Sequence, residues 1–311
     1  MKIIFITPVY NDWESVKILS EDLKKISEAN SWYSQLIIVD DCSNIQKNYE
    51  KDSFGLKTDI LSLYSNQGNQ KCITIGLSYI YDNIDDYDYI VVLDADGEDK
   101  PSDIIKLVES CMNNNNDKII FSKRKKRNEN LVYVFFYTLY KFLFYLLTGK
   151  IINIGHFSCI SKKMISKILS VDGIWTHYCA ALIKSKLSYD TVPCDKGLRY
   201  AGKTNQSKRM LIFHGLASMI VFQDIITLKA FVASLIGIFS TSIIFIVIFI
   251  AKLFSTELIF GLNFNTNTMI TLTIVFLIFS QIFILSLYHL INKESKMFLL
   301  DKKIYKKFII S

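Results

Sequence analysis

The sequence shows no CxxC pairing of cysteines, no apparent signal peptide and no nucleic-acid-binding motif. Its six cysteines show no CxxC spacing, which argues against a zinc site or a redox pair. No signal peptide is apparent, so we expect a reduced, cytoplasmic setting for the main domain. The net charge is +7, yet no RNA- or DNA-binding motif accompanies the basic residues. We therefore expect no nucleic-acid partner.

Charge is also missing from two long stretches near the end of the 311-residue chain. Ala230–Ala251 and Thr268–Asn292 contain no Asp, Glu, Lys or Arg. Each is long enough to cross about 30 Å of hydrocarbon as a helix. Basic clusters at 203–209 and 293–307 flank this region, as the cytoplasmic edges of membrane spans do. The sequence therefore predicts a multi-pass protein of the cell membrane with two spans and both termini in the cytoplasm.

A third apolar segment, Leu131–Leu147, complicates this topology because Lys141 is its single charged residue. If this segment spanned the membrane, the basic C-terminal tail and part of the main domain would lie outside the cytoplasm. It is short for a span and lies between motifs that should share one domain, so we expect an interfacial helix. Met210–Leu228 has a similar character. The expected organisation is a catalytic domain (1–206, with the interfacial helix at 131–147), juxtamembrane amphipathic helices (207–229), two transmembrane helices (230–292) and a basic cytoplasmic tail (293–311).

Strand and helix patterns alternate through the first part of the chain. Strands are predicted at Lys2–Thr7, Leu36–Val39, Lys57–Tyr64 and Tyr89–Leu93, and helices at Glu14–Ala29 and Gln70–Asn83. This alternation favours an α/β fold with a mainly parallel sheet. Ligands bind such sheets beyond the carboxyl ends of the strands, where two acidic clusters follow predicted strands.

The second of these clusters, Asp94-Ala95-Asp96, has the chemistry of a metal site. Two carboxylates at i and i+2 can share a hard cation such as Mg²⁺ or Mn²⁺, which also binds phosphate. Solvated acids are common at strand ends, so the triplet alone is weak evidence. Glu98 and Asp99 continue the run and make a turn rich in oxygen ligands.

The first cluster and the first turn carry little information by themselves. Asp40-Asp41 suits a helix N-cap or a turn as well as a ligand site. Thr7–Asp12 is a proline-directed turn after the first strand.

In this order, however, the three segments resemble the family 2 inverting glycosyltransferases of GT-A (Rossmann-like) fold. Their patterns P-x-Y-N-E, V-D-D-x-S and D-x-D correspond here to Pro8-Val9-Tyr10-Asn11-Asp12, Val39-Asp40-Asp41-Cys42-Ser43 and Asp94-Ala95-Asp96. Asn66-Gln67-Gly68 resembles the family's N-x-G segment.

Later segments resemble one branch, the polyprenyl-phosphate glycosyltransferases related to dolichol-phosphate mannose synthase and to bacterial undecaprenyl-phosphate glucosyltransferases. Its G-x-R-x-x-R, F-Y, G-D-F and R-x-x-G-x-S patterns correspond to Ser122–Arg127, Phe136-Tyr137, Gly155-His156-Phe157 and Arg199–Thr204. The similarity covers nearly the whole chain, and the ordered set is more specific than any single motif.

The resemblance implies a role for each matching residue. The nucleotide would contact Pro8, Tyr10, Asp12, Val39, Asp41 and Ala95. A divalent cation, Mg²⁺ or Mn²⁺, would be held by Asp94, Asp96 and Glu98. Donor or acceptor phosphate would contact Arg124, Arg127, Arg199 and Lys203, whose charge suits phosphate. The catalytic set would be Asp94, Asp96, Arg124, Arg127 and His156.

His156 departs from the family pattern, because relatives carry an Asp there. An alcohol acceptor needs a general base, but a polyprenyl phosphate is already anionic and needs positioning instead. The substitution is therefore compatible with the reaction, although a lone His is more often structural than catalytic.

The expected function is inverting transfer of a sugar from a UDP- or GDP-sugar to a polyprenyl phosphate such as undecaprenyl phosphate, at the cytoplasmic face of a lipid membrane. A homo-oligomer is compatible with the resemblance. One alternative is a processive polysaccharide synthase, but none of the three tryptophans ends a Q-x-x-R-W motif. Another is a non-catalytic scaffold that binds nucleotide, which the intact Asp94 and Asp96 disfavour.

Overall fold

The structure, a computed structural model, divides the chain into two compact units. It describes residues 1–45, 50–124, 131–202, 208–253, 258–259, 262–263, 266–294 and 304–310. The first unit comprises residues 1–145, 149–221 and 300–311, and the second comprises 146–148 and 222–299.

The first unit is an α/β domain. Its strands are β1 (Lys2–Val9), β2 (Tyr33–Asp40), β3 (Lys57–Ser62), β4 (Tyr89–Val92), β5 (Ile119–Arg124), β6 (Ser158–Ser161) and β7 (Tyr189–Cys194). Its α-helices are α1 (Trp13–Ala29), α2 (Asn69–Asn83), α3 (Ile104–Asn113), α4 (Leu131–Thr148, whose last three residues belong to the second unit), α5 (Lys162–Leu169), α6 (Tyr178–Ser185) and α7 (Lys208–Ile220). Short 3₁₀ helices occupy Lys51–Phe54, Pro101–Asp103 and Ile304–Lys307.

The seven strands form one sheet in the order β3-β2-β1-β4-β6-β5-β7. Neighbouring strands from β3 to β4 are parallel, as are β5 and β7, whereas β6 runs antiparallel to both its neighbours. The prediction of a mainly parallel α/β sheet is confirmed. Strands β1, β2 and β4 are adjacent and parallel, so their carboxyl ends meet at one edge.

The strands and helices predicted for residues 2–93 are present, with limits that differ by up to three residues. Val16, Leu19 and Leu23 of α1 are fully buried, as their helical spacing predicts. Strand β3 ends at Ser62, two residues earlier than expected. Leu63 instead bridges to Ile309 near the chain's end, and Tyr64 N donates to Phe308 O (3.0 Å).

This pairing adds residues 304–310 to the sheet edge formed by β3. Ile310 N donates to Ser62 O (2.8 Å), and the ring of Phe308 stacks on Trp175. Tyr305, which is 2% exposed, donates its hydroxyl proton to Asp82 (2.7 Å). The segment after the second long apolar helix is therefore an integral part of the α/β domain.

The second unit is a helical hairpin. It consists of α8 (Gln223–Leu253), the short strands β8 (Leu258–Ile259) and β9 (Leu262–Asn263), and α9 (Thr266–Glu294). Within the described residues, two segments are long and apolar enough to span a membrane, namely Gln223–Ile250 and Asn267–His289. Phe279 packs against Gly237, where a Cβ would lie 2.4 Å from the ring. The small residue thus allows close approach of the two helices, as in membrane helix pairs.

The apolar segments before this hairpin are helical. Met210–Leu228 is not continuous, because α7 ends at Ile220 and α8 begins at Gln223. Tyr140 of α4 hydrogen-bonds Ser218 of α7 through their hydroxyls (2.7 Å). Both helices expose large apolar side chains, including Phe136, Leu139, Phe142, Ile212, Phe213 and Leu216. An exposed apolar surface of this kind suits a membrane interface, and the interfacial placement of α4 stays a prediction.

Candidate active site

Asp41, which is 4% exposed, links the end of β2 to the turn that precedes α2. Its two carboxylate oxygens accept from the backbone N–H groups of Gln67 (2.5 Å) and Gly68 (2.9 Å). Burial raises the pKa of Asp41, and these two hydrogen bonds partly oppose the rise. The predicted nucleotide residue therefore also fixes the Asn66-Gln67-Gly68 turn.

The end of β1 is joined to the end of β2 through Asn11. Asn11 Oδ1 accepts from Asn44 N (2.8 Å) and Ile45 N (3.0 Å), and Asn11 N donates to Ser43 Oγ (2.9 Å). Of the other predicted nucleotide contacts, Tyr10 is 37% exposed, whereas Val39 and Ala95 are buried in the core and Pro8 lies within β1. Tyr10 is thus the more accessible side chain for a base or ribose.

The acidic turn after β4 brings Asp94 together with Asp99 and His156. One ligand atom from each lies within 4.8 Å of the others. His156 Nε2 is 2.9 Å from Asp94 Oδ1 and 3.7 Å from Asp99 Oδ2. Backbone and amide donors fix the carboxylates, since Asp94 N donates to Asp99 Oδ2 (3.1 Å) and Asn69 Nδ2 donates to Asp94 Oδ1 (2.9 Å).

Opposing effects set the pKa values of these three groups. Burial alone would lower the pKa of His156, but the charges of Asp94 and Asp99 raise it to about 9. Burial and the charge of Asp94 raise the pKa of Asp99 to about 6. Burial raises the pKa of Asp94, but the charge and close contact of His156, the hydrogen bond of Asn69 and the charge of Arg124 together outweigh it, and the net shift is downward. The cluster thus holds two carboxylates beside one imidazole, whose raised pKa reflects their negative charge.

Asp96 faces a different partner, the guanidinium of Arg199. Nη1 of Arg199 lies 2.8 Å from Asp96 Oδ2, and Nη2 lies 2.9 Å from Asp12 Oδ2. Burial and the charge of Asp94 raise the pKa of Asp96, and Arg199 opposes the rise. Arg199 therefore joins the acidic turn to the end of β1 across 187 residues of sequence.

Glu98 is the third member of the predicted metal set, and it too contacts basic side chains. Its Oε2 lies 2.9 Å from Lys196 Nζ and 3.5 Å from Arg124 Nη2. The described residues therefore place Asp94 in the cluster with Asp99 and His156, while Asp96 and Glu98 pair with cations. Arg127 and Lys203 lie outside the described residues.

The segment that carries Arg199 packs so closely against the acidic turn that each of the two segments has a glycine at the contact. Gly97 has φ +85°, and a Cβ there would lie 2.8 Å from two ring atoms of Tyr200. A Cβ on Gly197 would lie 2.0 Å from Gly97 O. Tyr200 N donates to Asp96 O (2.8 Å), which locks the crossing. This contact holds Arg199 at the site.

Two further histidines, not predicted from sequence, lie near His156. His177 Nε2 is 3.2 Å from His214 Nε2, and His177 Nδ1 accepts from Ala180 N (3.3 Å) at the start of α6. Because Nδ1 accepts, neutral His177 must carry its proton on Nε2 and donate it to His214. Burial lowers the pKa of both rings, that of His177 to about 3, and both feel the charge of His156. No local motif marks either residue.

The fold of the chain is similar to that of solved structures. The chain resembles mannosyl-3-phosphoglycerate synthase from Rubrobacter xylanophilus (15% identity, TM-score 0.51, covering 71% of this chain and 72% of that chain). It also resembles glucosyl-3-phosphoglycerate synthase from Mycobacterium tuberculosis in complex with Mn²⁺, UDP-glucose and phosphoglyceric acid (13%, 0.52, 72% and 79%). At such identities the likeness shows the fold. No curated protein sequence matches the chain.

The family itself is shown by sequence. Residues 4–169, more than half of the chain, match the family described as Glycosyl transferase family 2. This range includes the ends of β1, β2 and β4, the acidic turn and His156. The chain therefore belongs to glycosyltransferase family 2 and has the GT-A fold, followed by two candidate membrane-spanning helices.

Proposed function

We propose that the protein transfers a sugar from a UDP- or GDP-sugar to a polyprenyl phosphate, with inversion at the anomeric carbon. The observation that carries the proposal is the union, in one chain, of a family 2 GT-A domain and two helices long and apolar enough to span a membrane. A membrane-anchored transferase gains from its anchor when the acceptor is itself a lipid, because both reactants share the interface.

The donor would bind over the joined ends of β1, β2 and β4. Tyr10, Asp12 and Asp41 would contact the nucleoside, and the acidic turn would lie at the diphosphate. The similar mycobacterial structure contains Mn²⁺ and UDP-glucose, which supports a divalent cation and a nucleotide-sugar here. Asp94, Asp96 and Glu98 are the ligands that the family pattern suggests, and a bound cation would offset the charge of the leaving diphosphate.

Basic side chains beside the acidic turn would hold the acceptor and donor phosphates. Arg124 and Lys196 both reach Glu98, and Arg199 reaches Asp96. Arg guanidinium groups match phosphate with two donors, so they can exchange a carboxylate for a phosphate when substrate enters. Arg127 and Lys203 belong to the same proposed set by sequence pattern.

In the reaction, an acceptor phosphate oxygen attacks the anomeric carbon of the sugar. The bond from that carbon to the diphosphate oxygen breaks, and the nucleoside diphosphate leaves with the bonding electrons. An anionic acceptor needs no general base, which fits His156 in place of a carboxylate. Positive side chains at the turn would stabilise the charge on the leaving group.

The proposed topology has two spans with the catalytic domain and both termini in the cytoplasm. Residues 304–310 follow α9, yet they pair with β3 of the catalytic domain. This pairing supports a hairpin in which the start of α8 and the end of α9 lie on the same side of the membrane. The basic residues at 208–209 and 293–307 favour the cytoplasmic side.

The activity is tested with the full-length protein in detergent, undecaprenyl phosphate, Mg²⁺ or Mn²⁺ and a panel of labelled UDP- and GDP-sugars. We expect metal-dependent label in the lipid fraction with one donor, and its loss in Asp94→Asn. Nucleoside diphosphate released without labelled lipid would indicate another acceptor. Nucleotide binding without turnover on any donor would favour the scaffold alternative.

The topology is tested separately in intact cells with a membrane-impermeant thiol reagent. We expect it to label a cysteine introduced within 254–265 and not one introduced at Ser311. Labelling at Ser311 alone would contradict the proposed orientation.

A further inference from the structure

The substitution at His156 gives the acidic turn an unusual set of ligand atoms. We propose that His156 is a ligand of the divalent cation, together with Asp94 and Asp99, and that its nitrogen makes the site prefer Mn²⁺ to Mg²⁺. This inference rests on the proposed function and names the metal chemistry of the same site.

The positions of the three side chains fit an octahedral ion. Ligands about 2.1 Å from such an ion lie about 3 Å apart along an edge and about 4.2 Å apart across it. Asp94 Oδ1 is 2.9 Å from His156 Nε2, which matches an edge. Asp99 Oδ2 is 3.7 Å from the same nitrogen, so a small side-chain shift completes the set.

The nitrogen contacts the Asp94 carboxylate as an ion pair, but the contact lacks hydrogen-bond geometry. His156 Nε2 is buried, and among the described residues it has no hydrogen-bond partner of acceptable geometry despite the nearby carboxylate. A buried polar atom without a partner is costly unless something else binds it. A cation placed between the imidazole and the two carboxylates would satisfy all three groups.

The carboxylates are oriented as metal ligands usually are. Asn69 holds Asp94 Oδ1, and the backbone N–H of Asp94 holds Asp99 Oδ2. Hydrogen bonds of this kind hold metal-ligating side chains in position and contribute to metal affinity. Asp96, in contrast, is held by Arg199 and by the backbone N–H of Glu98. The proposed ligand set therefore keeps Asp94 of the family pattern. Asp99 and His156 take the place of Asp96 and Glu98.

A nitrogen ligand changes which metal the site selects. Mg²⁺ prefers oxygen ligands in near-ideal octahedral geometry, whereas Mn²⁺ accepts imidazole more readily and stands below Fe²⁺, Co²⁺ and Zn²⁺ in affinity for such ligands. Replacing His156 by Asp would restore an all-oxygen set. The proposal therefore predicts a change in metal preference as well as in affinity.

A competing account has His156 act as a cation that replaces the metal by pairing with Asp94 and Asp99. The two accounts predict opposite changes in Mn²⁺ affinity when His156 is removed. If His156 is a ligand, removing it weakens Mn²⁺ binding. If it is an imidazolium that repels the metal, removing it strengthens Mn²⁺ binding.

The test measures Mn²⁺ binding by electron paramagnetic resonance on the full-length protein in detergent, with and without UDP or GDP and with no sugar donor or acceptor. Mg²⁺ competition gives the preference. We expect His156→Ala to weaken Mn²⁺ binding about tenfold or more. His156→Asp should recover Mg²⁺ binding and lower the Mn²⁺/Mg²⁺ ratio. His289→Ala, on α9, is the matched control and should leave both unchanged.

A spectroscopic signature distinguishes direct ligation from an indirect effect. Bound Mn²⁺ should show electron spin echo modulation from a coordinated imidazole nitrogen in the wild type, and His156→Asp should lose it. Unchanged or tighter Mn²⁺ binding in His156→Ala, or modulation that persists in His156→Asp, would overturn the proposal. Because neither readout requires transfer, a wrong acceptor would leave these results intact.

Discussion

The crossing of the acidic turn by the Arg199 segment makes Gly97 a sensitive position. In Gly97→Ala the new Cβ would lie 2.8 Å from Tyr200 ring atoms and 2.9 Å from Leu198 O, at φ +85°. Tyr200 cannot swing away freely, because its hydroxyl donates to Asp22 (2.9 Å). The segment must therefore shift, and Arg199 would shift with it.

The expected cost has two parts. Placing a residue with a Cβ in the left-handed region costs about 1–2 kcal/mol. Forcing atoms into a packed contact adds about 1–3 kcal/mol. Gly55→Ala is the matched control, because Gly55 has φ +69° but meets the flexible side chain of Lys24 at 3.2 Å. Gly55→Ala should therefore show only the backbone cost of about 1–2 kcal/mol.

The assay compares thermal unfolding and UDP or GDP binding in the two variants. The packing cost should lower the melting temperature of Gly97→Ala by about 2–12 °C more than that of Gly55→Ala. Nucleotide binding should weaken in Gly97→Ala and persist in Gly55→Ala, which lies away from the strand ends. Equal melting temperatures with equal nucleotide affinity would refute the close crossing at Gly97.

Three further predictions concern other parts of the catalytic domain. Tyr305→Phe removes a hydrogen bond to the Asp82 carboxylate, so we expect a loss of about 1.5–3 kcal/mol in a denaturation assay; an unchanged midpoint would contradict docking of the tail. Asp41→Asn places an amide N–H₂ against a backbone N–H, so unfolding should occur at lower temperature and nucleotide should bind more weakly. Burial, with His214, lowers the pKa of His177 to about 3 against about 6.5 in the unfolded chain. The unfolded chain therefore binds more protons at His177 below pH 6.5, and the contribution of His177 to stability should fall as the pH drops from 7.5 to 5.5, against an opposite contribution from His156, whose pKa is raised to about 9. His177→Asn keeps a helix cap and should flatten that pH dependence, whereas an identical profile would count against the assignment.

Much of the fold could be predicted from local patterns. The buried strands β1, β2 and β4 are short runs rich in β-branched residues. The acidic residues that follow them indicate where ligands are expected to bind. The apolar helices α8 and α9 are evident from the absence of charge. These features depend on residues close together in the chain.

The rest depends on contacts between distant residues, which periodicity does not encode. The metal role of Asp96 and Glu98 stays a prediction, and no local pattern indicates their ion pairs with Arg199 and Lys196, about a hundred residues later. Asp99 belongs to an acidic run in the sequence, and nothing local indicates its position beside His156.

The same reason explains two other features that the sequence did not reveal. The pairing of residues 304–310 with the edge of β3 joins segments separated by the whole membrane hairpin. The contact between His177 and His214 joins α6 to α7, and neither histidine lies in a motif. Local patterns carry no information about such pairs.

The acceptor is the defining feature of the proposed reaction, and a direct competition between two acceptors identifies it. The purified protein is given its labelled nucleotide-sugar together with undecaprenyl phosphate in detergent micelles and 3-phosphoglycerate in the aqueous phase. We expect label to enter the organic phase as a lipid-linked monosaccharide, at a rate that phosphoglycerate does not reduce. Label in a phosphoglycerate product, or release of free sugar at the same rate without lipid, would contradict it.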